Sequence, residues 1–75
     1  IFVNSQYKLI KIKINEILFI EGLKDYIKIY IEGSEKPILT IMRIKTFEEK
    51  LSPDNFFRVH RSFLINYNKI DFIQK

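Results

Sequence analysis

Short runs of β-branched and aromatic residues, separated by turn-forming residues, constrain the fold of this chain more than any other feature. Residues 8–14 read Lys-Leu-Ile-Lys-Ile-Lys-Ile, so isoleucine and lysine alternate. Successive side chains of a strand point to opposite faces, and this alternation predicts a half-buried strand. Residues 17–20 read Ile-Leu-Phe-Ile, a continuous apolar run typical of a strand buried on both faces, and Gly22 ends the run.

Alternation returns in residues 26–32, where isoleucines at every second position share one face. Tyr, Lys and Glu occupy the other positions, and the pattern predicts that this aromatic and basic face is exposed. Residues 33–37, Gly-Ser-Glu-Lys-Pro, have the composition of a hairpin loop. Residues 38–42 are its predicted return strand.

A change of period after the return strand predicts one short helix. Ile44, Phe47 and Leu51 recur at spacings of three and four residues and would share one helical face. Thr46 and Glu49 also have the spacing of a capping box, which allows a later helix start.

The last third of the chain returns to strand-like sequence. Residues 52–55, Ser-Pro-Asp-Asn, end the helix, and residues 56–60 are a predicted strand that residues 61–66 continue. Residues 67–68 mark a turn and residues 70–73 a last strand. Several short strands with one helix indicate a predominantly β fold, with antiparallel sheets and one short helix.

Length and composition limit the classes of function. The 75 residues are 47% hydrophobic and 29% charged, which describes one small globular domain and excludes a two-domain enzyme. The chain has no Cys, which suits a reducing cytoplasm, and no apolar run reaches the roughly 18 residues of a membrane span. We therefore expect a cytoplasmic domain. The only methionine is Met42, so we expect a piece of a longer protein.

Catalytic groups are scarce in this sequence. The chain has no Gly-rich phosphate loop and no serine in a nucleophile-elbow pattern. His60 is the only histidine, so no second one stands at metal-ligand spacing. We expect no enzymatic activity, no metal and no cofactor.

The charge balance favours an anionic partner. Thirteen Lys and Arg against nine Asp and Glu give a net charge of +4, although such a charge also serves solubility alone. Basic, aromatic and amide side chains that bind nucleic acid cluster in residues 24–30 and in residues 58–62, followed by Asn66. If the two clusters form neighbouring loops at one edge of the sheets, they can enter a groove together.

Each of these side chains also has a structural interpretation. Tyr26 and Tyr30 can cap a core instead of stacking on bases. His60 can be a structural histidine that bonds a neighbouring backbone group, and Asn66 can be a turn residue. Arg61 is costly to bury, so we expect it to face solvent or a ligand, or to form a surface ion pair.

Three blocks together resemble one family. They read ILFIEGLKDYIKI (17–29), TIMRIK (40–45) and FRVHRSFLIN (57–66), and Ile70 follows. In order and spacing, including the His-Arg-Ser-Phe block, they are similar to the LytTR DNA-binding domain of LytR/AlgR-type bacterial response regulators. The resemblance covers nearly the whole chain.

The resemblance implies a transcription regulator that binds duplex DNA through loops instead of a recognition helix. Loops of the family enter successive major grooves from one side, at paired direct repeats in promoters that two copies occupy, which implies a homodimer on DNA. In the full-length protein of such a two-component system, an upstream receiver or sensor domain is the implied partner. Residues 1–75 hold no receiver, and we expect them to lack the C-terminal strands of the family together with a basic residue from that region.

By position, the resemblance implies base contacts from Arg61 in one loop and Tyr26 in the other. Lys24 and Asp25 remain alternatives to Tyr26, because family members vary in the length of that loop. Contacts to the DNA backbone, assigned by charge and proximity, are expected from Lys24, Lys28, Arg43, Ser62 and Lys69. His60 and Asn66 are expected to support these contacts structurally.

Two other functions remain open from the sequence. One is a β-module for single-stranded nucleic acid or RNA, in which Tyr26, Tyr30 and Phe56 stack on bases. The other is a protein-interaction domain that pairs a strand edge with a partner by β-augmentation. Competition between duplex and single-stranded oligonucleotides distinguishes the first alternative from duplex binding. The second alternative predicts binding to a protein partner that neither salt nor nucleic acid affects.

Overall fold

The structure is a computed structural model, and it describes residues 1–70. In chain order the elements are β1 (Phe2–Ser5), β2 (Lys8–Lys11), β3 (Ile17–Gly22), β4 (Ile27–Ile31), β5 (Ile38–Thr40), α1 (Ile44–Glu48), β6 (Phe56–His60) and β7 (Phe63–Asn66). Two 3₁₀ turns cover Ile14–Glu16 and Tyr67–Lys69. No helix in this part of the chain is long and apolar enough to cross a membrane.

The strands form two antiparallel sheets. β1 and β2 pair as a hairpin, and the other five strands pair in the order β5-β4-β3-β7-β6. The predicted fold class, predominantly β with antiparallel sheets and one short helix, is confirmed.

Isoleucines of the central strands build the core. The alternation predicted for β4 buries Ile27 and Ile29 completely, and Ile20 lies opposite Ile29 on β3. Phe47 of α1 is fully buried on the same side. Burying one such side chain contributes about 1.5–3 kcal/mol to the free energy of folding. Phe47 is the buried residue of α1, so its ring is the main contact that holds the helix on the sheet.

The other face of β4 is less exposed than the sequence predicts. Tyr30 stacks on Phe19 of β3 with ring centroids 4.3 Å apart, and its hydroxyl donates a hydrogen bond to Glu21 Oε1 over 3.3 Å. Lys28 is also half-buried. The prediction of an open aromatic and basic face is therefore wrong, because neighbouring strands supply side chains that cover it.

Several element boundaries differ from the prediction. β1 was not predicted, and β2 ends at Lys11 instead of residue 14. The helix begins at Ile44, where the apolar period starts, and its N-cap residue Arg43 makes no side-chain capping bond. The alternative start at a Thr46 capping box is therefore wrong.

Two further differences concern the C-terminal side of the chain. Leu51 lies beyond the end of α1 but is still buried. Ile70, the first residue of the predicted last strand, has helical dihedrals, with φ −58° and ψ −37°. The rest of that prediction, residues 71–73, lies outside the described residues.

Candidate nucleic-acid interface

Three connecting segments meet at one end of the five-stranded sheet. Residues 23–26 join β3 to β4, residues 41–43 join β5 to α1, and residues 61–62 join β6 to β7. The strand register brings them together, since Gly22 pairs with Ile27 and Ile27 pairs with Thr40. We call these three segments the loop end.

A backbone hydrogen bond ties two of the segments to each other. The Gly22 N–H donates to the Ser62 carbonyl oxygen over 2.7 Å, directly beside the pairing of Glu21 with Phe63. The two clusters singled out in the sequence are therefore neighbours.

Gly22 also gives α1 room to approach the sheet. A Cβ atom built on Gly22 would lie 2.8 Å from the Cβ of Ile44, closer than real side chains approach. Glycine at this position therefore lets the first turn of α1 close over the end of β3.

Arg61 lies at the tip of the β6–β7 connection and is exposed. Within residues 1–70 its side chain takes part in no ion pair. The same holds for Lys24 and Arg43, which are also exposed at the loop end. This end of the sheet therefore presents three cations that no carboxylate of the described chain neutralises.

Tyr26 and its neighbours differ in exposure. Lys24 and Asp25 are exposed at the tip of the β3–β4 loop, and Tyr26 is half-buried. Tyr26 lines a shallow groove together with Gln6 and Ile41. Tyr26, Lys24 and Asp25 are thus all accessible for a contact from the first loop.

Two of the expected backbone contacts are less exposed than the three cations. Lys28 lies within β4, opposite Glu21 on one side and Leu39 on the other, and is half-buried. Ser62 follows Arg61 in the β6–β7 turn and is also half-buried. Both are therefore flanking groups, in contrast to the exposed cations.

His60 holds the turn that carries Arg61. Its Nδ1 atom accepts a hydrogen bond from the Ser62 N–H over 3.1 Å, and its ring lies against that of Phe63. The imidazole is exposed, so its partner is a local backbone group and not the core.

Arg58 also supports this turn, a role that the sequence pattern does not predict. Arg58 Nη1 donates to the carbonyl oxygen of Arg61 over 3.4 Å, and Arg58 Nη2 lies 3.4 Å from Glu48 Oε1 on α1. No local sequence signal links residues 48 and 58, because the contact depends on how α1 packs on the sheet.

Asn66 and Lys69 lie at the opposite end of the sheet. Asn66 is buried; its side chain donates to the Ile17 carbonyl oxygen over 2.8 Å and accepts from the Asn68 N–H over 3.0 Å. Lys69 Nζ lies 2.7 Å from Glu32 Oε1. β7 separates both residues from Arg61, so the structure does not bring them into the loop end.

Metal-binding and acid-base groups do not gather in the described part of the chain. Residues 1–70 contain no group of three or more His, Asp or Glu side chains close enough to hold a metal ion. The loop end therefore offers a ligand positive charges and hydrogen-bond donors.

The chain is similar to known proteins of one family. The family model of the LytTr DNA-binding domain matches residues 7–75. The chain is 36% identical over 63 residues to the transcriptional regulatory protein YpdB of Escherichia coli K12, and equally to that of Shigella flexneri. Each match covers 84% of this chain and 25% of the relative, so the chain spans about a quarter of the length of these curated relatives.

A solved structure shares the fold. It is the LytTr DNA-binding domain of a protein described as a methyl-accepting/DNA response regulator from Bacillus cereus. The TM-score is 0.72 at 24% identity, over 91% of this chain and 61% of the other. On the family match and the fold together, the chain belongs to the LytTR DNA-binding domain family.

Proposed function

We propose that the loop end binds duplex DNA sequence-specifically, with Arg61 reading a base edge. Membership of the family assigns the chain to DNA binding in transcription regulation, which is not an enzyme class. The proposal concerns which surface and which residues carry that binding.

The observation that carries the proposal is the Gly22–Ser62 hydrogen bond. It holds the Arg61 turn against the β3–β4 loop, so that one surface presents Arg61, Lys24 and Arg43 without neutralising partners among residues 1–70. Phosphate attracts such cations and keeps them near the duplex, whatever its sequence.

Arg61 has the chemistry to add sequence preference. A guanidinium presents a planar fork of N–H donors that matches two acceptors at a guanine edge, and such a pair is worth about 1–3 kcal/mol of discrimination. Arg61 stands at the tip of a two-residue turn and is free to extend into a groove. Tyr26, or Lys24 or Asp25 in its place, would contact the neighbouring position.

Arg43 and Lys24 are the proposed phosphate contacts at the rim, with Lys28 and Ser62 flanking them. Lys69 is left out of the proposed interface, because it lies beyond the other end of β7 and pairs with Glu32. His60 and Asn66 support the scaffold from within the chain.

Spacing limits how much DNA these loops can reach. The β3–β4 and β6–β7 connections have midpoints about two strand spacings, or roughly 10 Å, apart. This distance is similar to the width of one major groove. Major grooves on one side of a duplex recur every 34 Å or so. Contacts in a second groove would therefore need another segment or a second copy, in keeping with two copies on direct repeats.

We extend the proposal to the full-length protein by resemblance to the family. There, a receiver or sensor domain upstream would control DNA binding in a bacterial two-component system. Binding to chromosomal DNA would place this domain in the cytoplasm.

The single-strand alternative loses support. Phe56, one of its three stacking residues, is buried in the core, and Tyr30 already stacks on Phe19. A sequence-tolerant binding face needs ring faces that are free to stack on bases.

The test compares Arg61→Ala with Lys36→Ala. Lys36 is exposed in the β4–β5 loop at the opposite end of the sheet, so both variants lose one positive charge. Duplexes are first selected from a random pool, and affinities are measured for the best duplex and a shuffled version. We expect Arg61→Ala to lose about 1–3 kcal/mol of discrimination and to relax one base position.

Lys36→Ala should keep the discrimination of the unmodified chain. Equal discrimination in all three proteins would contradict the role of Arg61. A preference for single strands over every duplex would contradict the function itself.

A further inference from the structure

The backbone of the Arg61 turn is held by side chains from the strand that precedes it. The Ser62 N–H donates to His60 Nδ1, and the Arg61 carbonyl oxygen accepts from Arg58. On the side of β3, the Ser62 carbonyl oxygen accepts from the Gly22 N–H. Three of the turn's backbone groups therefore have specific partners, although the turn lies at the surface.

We propose that His60 and Arg58 are positioning residues that fix the backbone of the Arg61–Ser62 turn and thereby set base discrimination. The inference rests on the proposed function of Arg61. It adds that neither His60 nor Arg58 acts by touching DNA.

The orientation of Arg58 supports this role over a phosphate contact. Its Nη2 atom lies against Glu48 of α1, and its Nε atom is buried without a hydrogen-bond partner among residues 1–70. The side chain therefore lies along the sheet and links the helix to the turn. A phosphate contact would instead need the guanidinium to point away from the chain.

The His60 bond depends on the protonation state of the ring. The Ser62 N–H needs an acceptor at Nδ1, and only a neutral imidazole with its proton on Nε2 supplies one. An imidazolium has N–H groups on both nitrogens and cannot accept. The hydrogen bond from the Ser62 N–H therefore assigns the proton of a neutral ring to Nε2.

The test uses two substitutions of His60. Asn places an acceptor oxygen where Nδ1 stands and can bond the N–H two residues on, whereas Leu keeps bulk without an acceptor. The readout is the ratio of affinities for the selected duplex and its shuffled version. We expect His60→Leu to lower the ratio about three- to tenfold, and His60→Asn to stay within about twofold of the unmodified chain.

The comparison of these two variants separates positioning from a purely structural role. Asn restores the acceptor but not the ring, so a ratio that is kept in His60→Asn and lost in His60→Leu identifies the hydrogen bond to the Ser62 N–H as the feature that matters.

Arg58→Lys tests the second positioning residue. The charge is kept, but a lysine has one donor group in place of the fork that spans Glu48 and Arg61. We expect the ratio to fall about threefold with an unchanged salt slope.

The outcomes are distinguishable. A ratio that is retained in His60→Leu, lost equally in His60→Asn, or unchanged in Arg58→Lys overturns the inference. If His60→Leu fails to fold, the comparison of the unmodified chain with His60→Asn and Arg58→Lys still decides. If the unmodified chain shows no sequence preference, the proposed function fails instead.

Discussion

The two ends of the five-stranded sheet treat polar and charged groups in opposite ways. At the loop end, Arg61, Lys24 and Arg43 are exposed and form no ion pair within residues 1–70. At the other end, which we call the far end and define by residues 14–16, 32–37 and 66–69, Lys69 pairs with Glu32 and Asn66 bonds two backbone groups.

The difference separates stability from binding in this small domain. At the far end, the side chains of Lys69 and Asn66 have partners within the chain and so stabilise the sheet. At the loop end, backbone hydrogen bonds hold the loops that carry the cations. The charges of these cations are not neutralised within residues 1–70 and can bind a partner. Substitutions at the two ends therefore test this contrast.

The largest expected effect is on stability at the far end. Asn66→Ala removes a donor from the Ile17 carbonyl oxygen and an acceptor from the Asn68 N–H, both beside the core. We expect a loss of about 3 kcal/mol in the free energy of unfolding, measured by urea denaturation. Discrimination between selected and shuffled duplexes should stay unchanged under conditions where the variant is folded.

A smaller loss of stability is expected at the loop end, and here it should carry binding with it. Gly22→Ala forces a Cβ against Ile44, which must move together with α1. We expect about 2 kcal/mol of destabilisation and a weaker preference for the selected duplex. Unchanged stability would show that α1 shifts freely, and that Gly22 does not fix the loop end.

Removing one positive charge from each end should affect the salt dependence of DNA binding differently. Lys24→Gln should reduce the slope of log affinity against log salt by about one unit, since one phosphate contact is lost. Lys36→Gln removes the same charge from the far end and should leave the slope unchanged. Equal slopes for both variants would mean that the loop end is not the phosphate-binding surface.

The smallest effect is expected for Lys69→Met. Its ion pair with Glu32 is partly exposed, and such pairs contribute less than about 1 kcal/mol. Sequence analysis expects Lys69 to contact the DNA backbone, whereas its place at the far end predicts an unchanged salt slope. A slope reduced by about one unit would return Lys69 to the interface.

The sequence predicted those elements that carry a full periodic signal. β4 and the helix follow from alternation and from three- and four-residue spacing, because burial of one face decides both. β1 carries no such signal. Its turn to β2 has Gln6 at φ 52° and Tyr7 at φ 66°, where glycine or asparagine would normally mark the turn.

The residue pattern alone missed the Arg61 turn for a related reason, although the family resemblance places Arg61 in a loop. Neither Arg61 nor Ser62 has a positive φ, so the turn needs no glycine, and the register shift between Arg58 and His60 absorbs the twist. Residues 61–66 therefore seemed to continue the preceding strand. Local sequence also cannot reveal that Gly22 bonds Ser62, because their contact depends on the pairing of β3 with β7.

Backbone amide chemical shifts, followed during titration with the selected duplex, locate the DNA-binding surface residue by residue. We predict that the changes concentrate in residues 22–26, 41–43 and 60–63, and that residues 33–37 and 67–69 stay unperturbed. Changes centred on the far end, with the Arg61 turn unaffected, would contradict the assignment of DNA binding to the loop end.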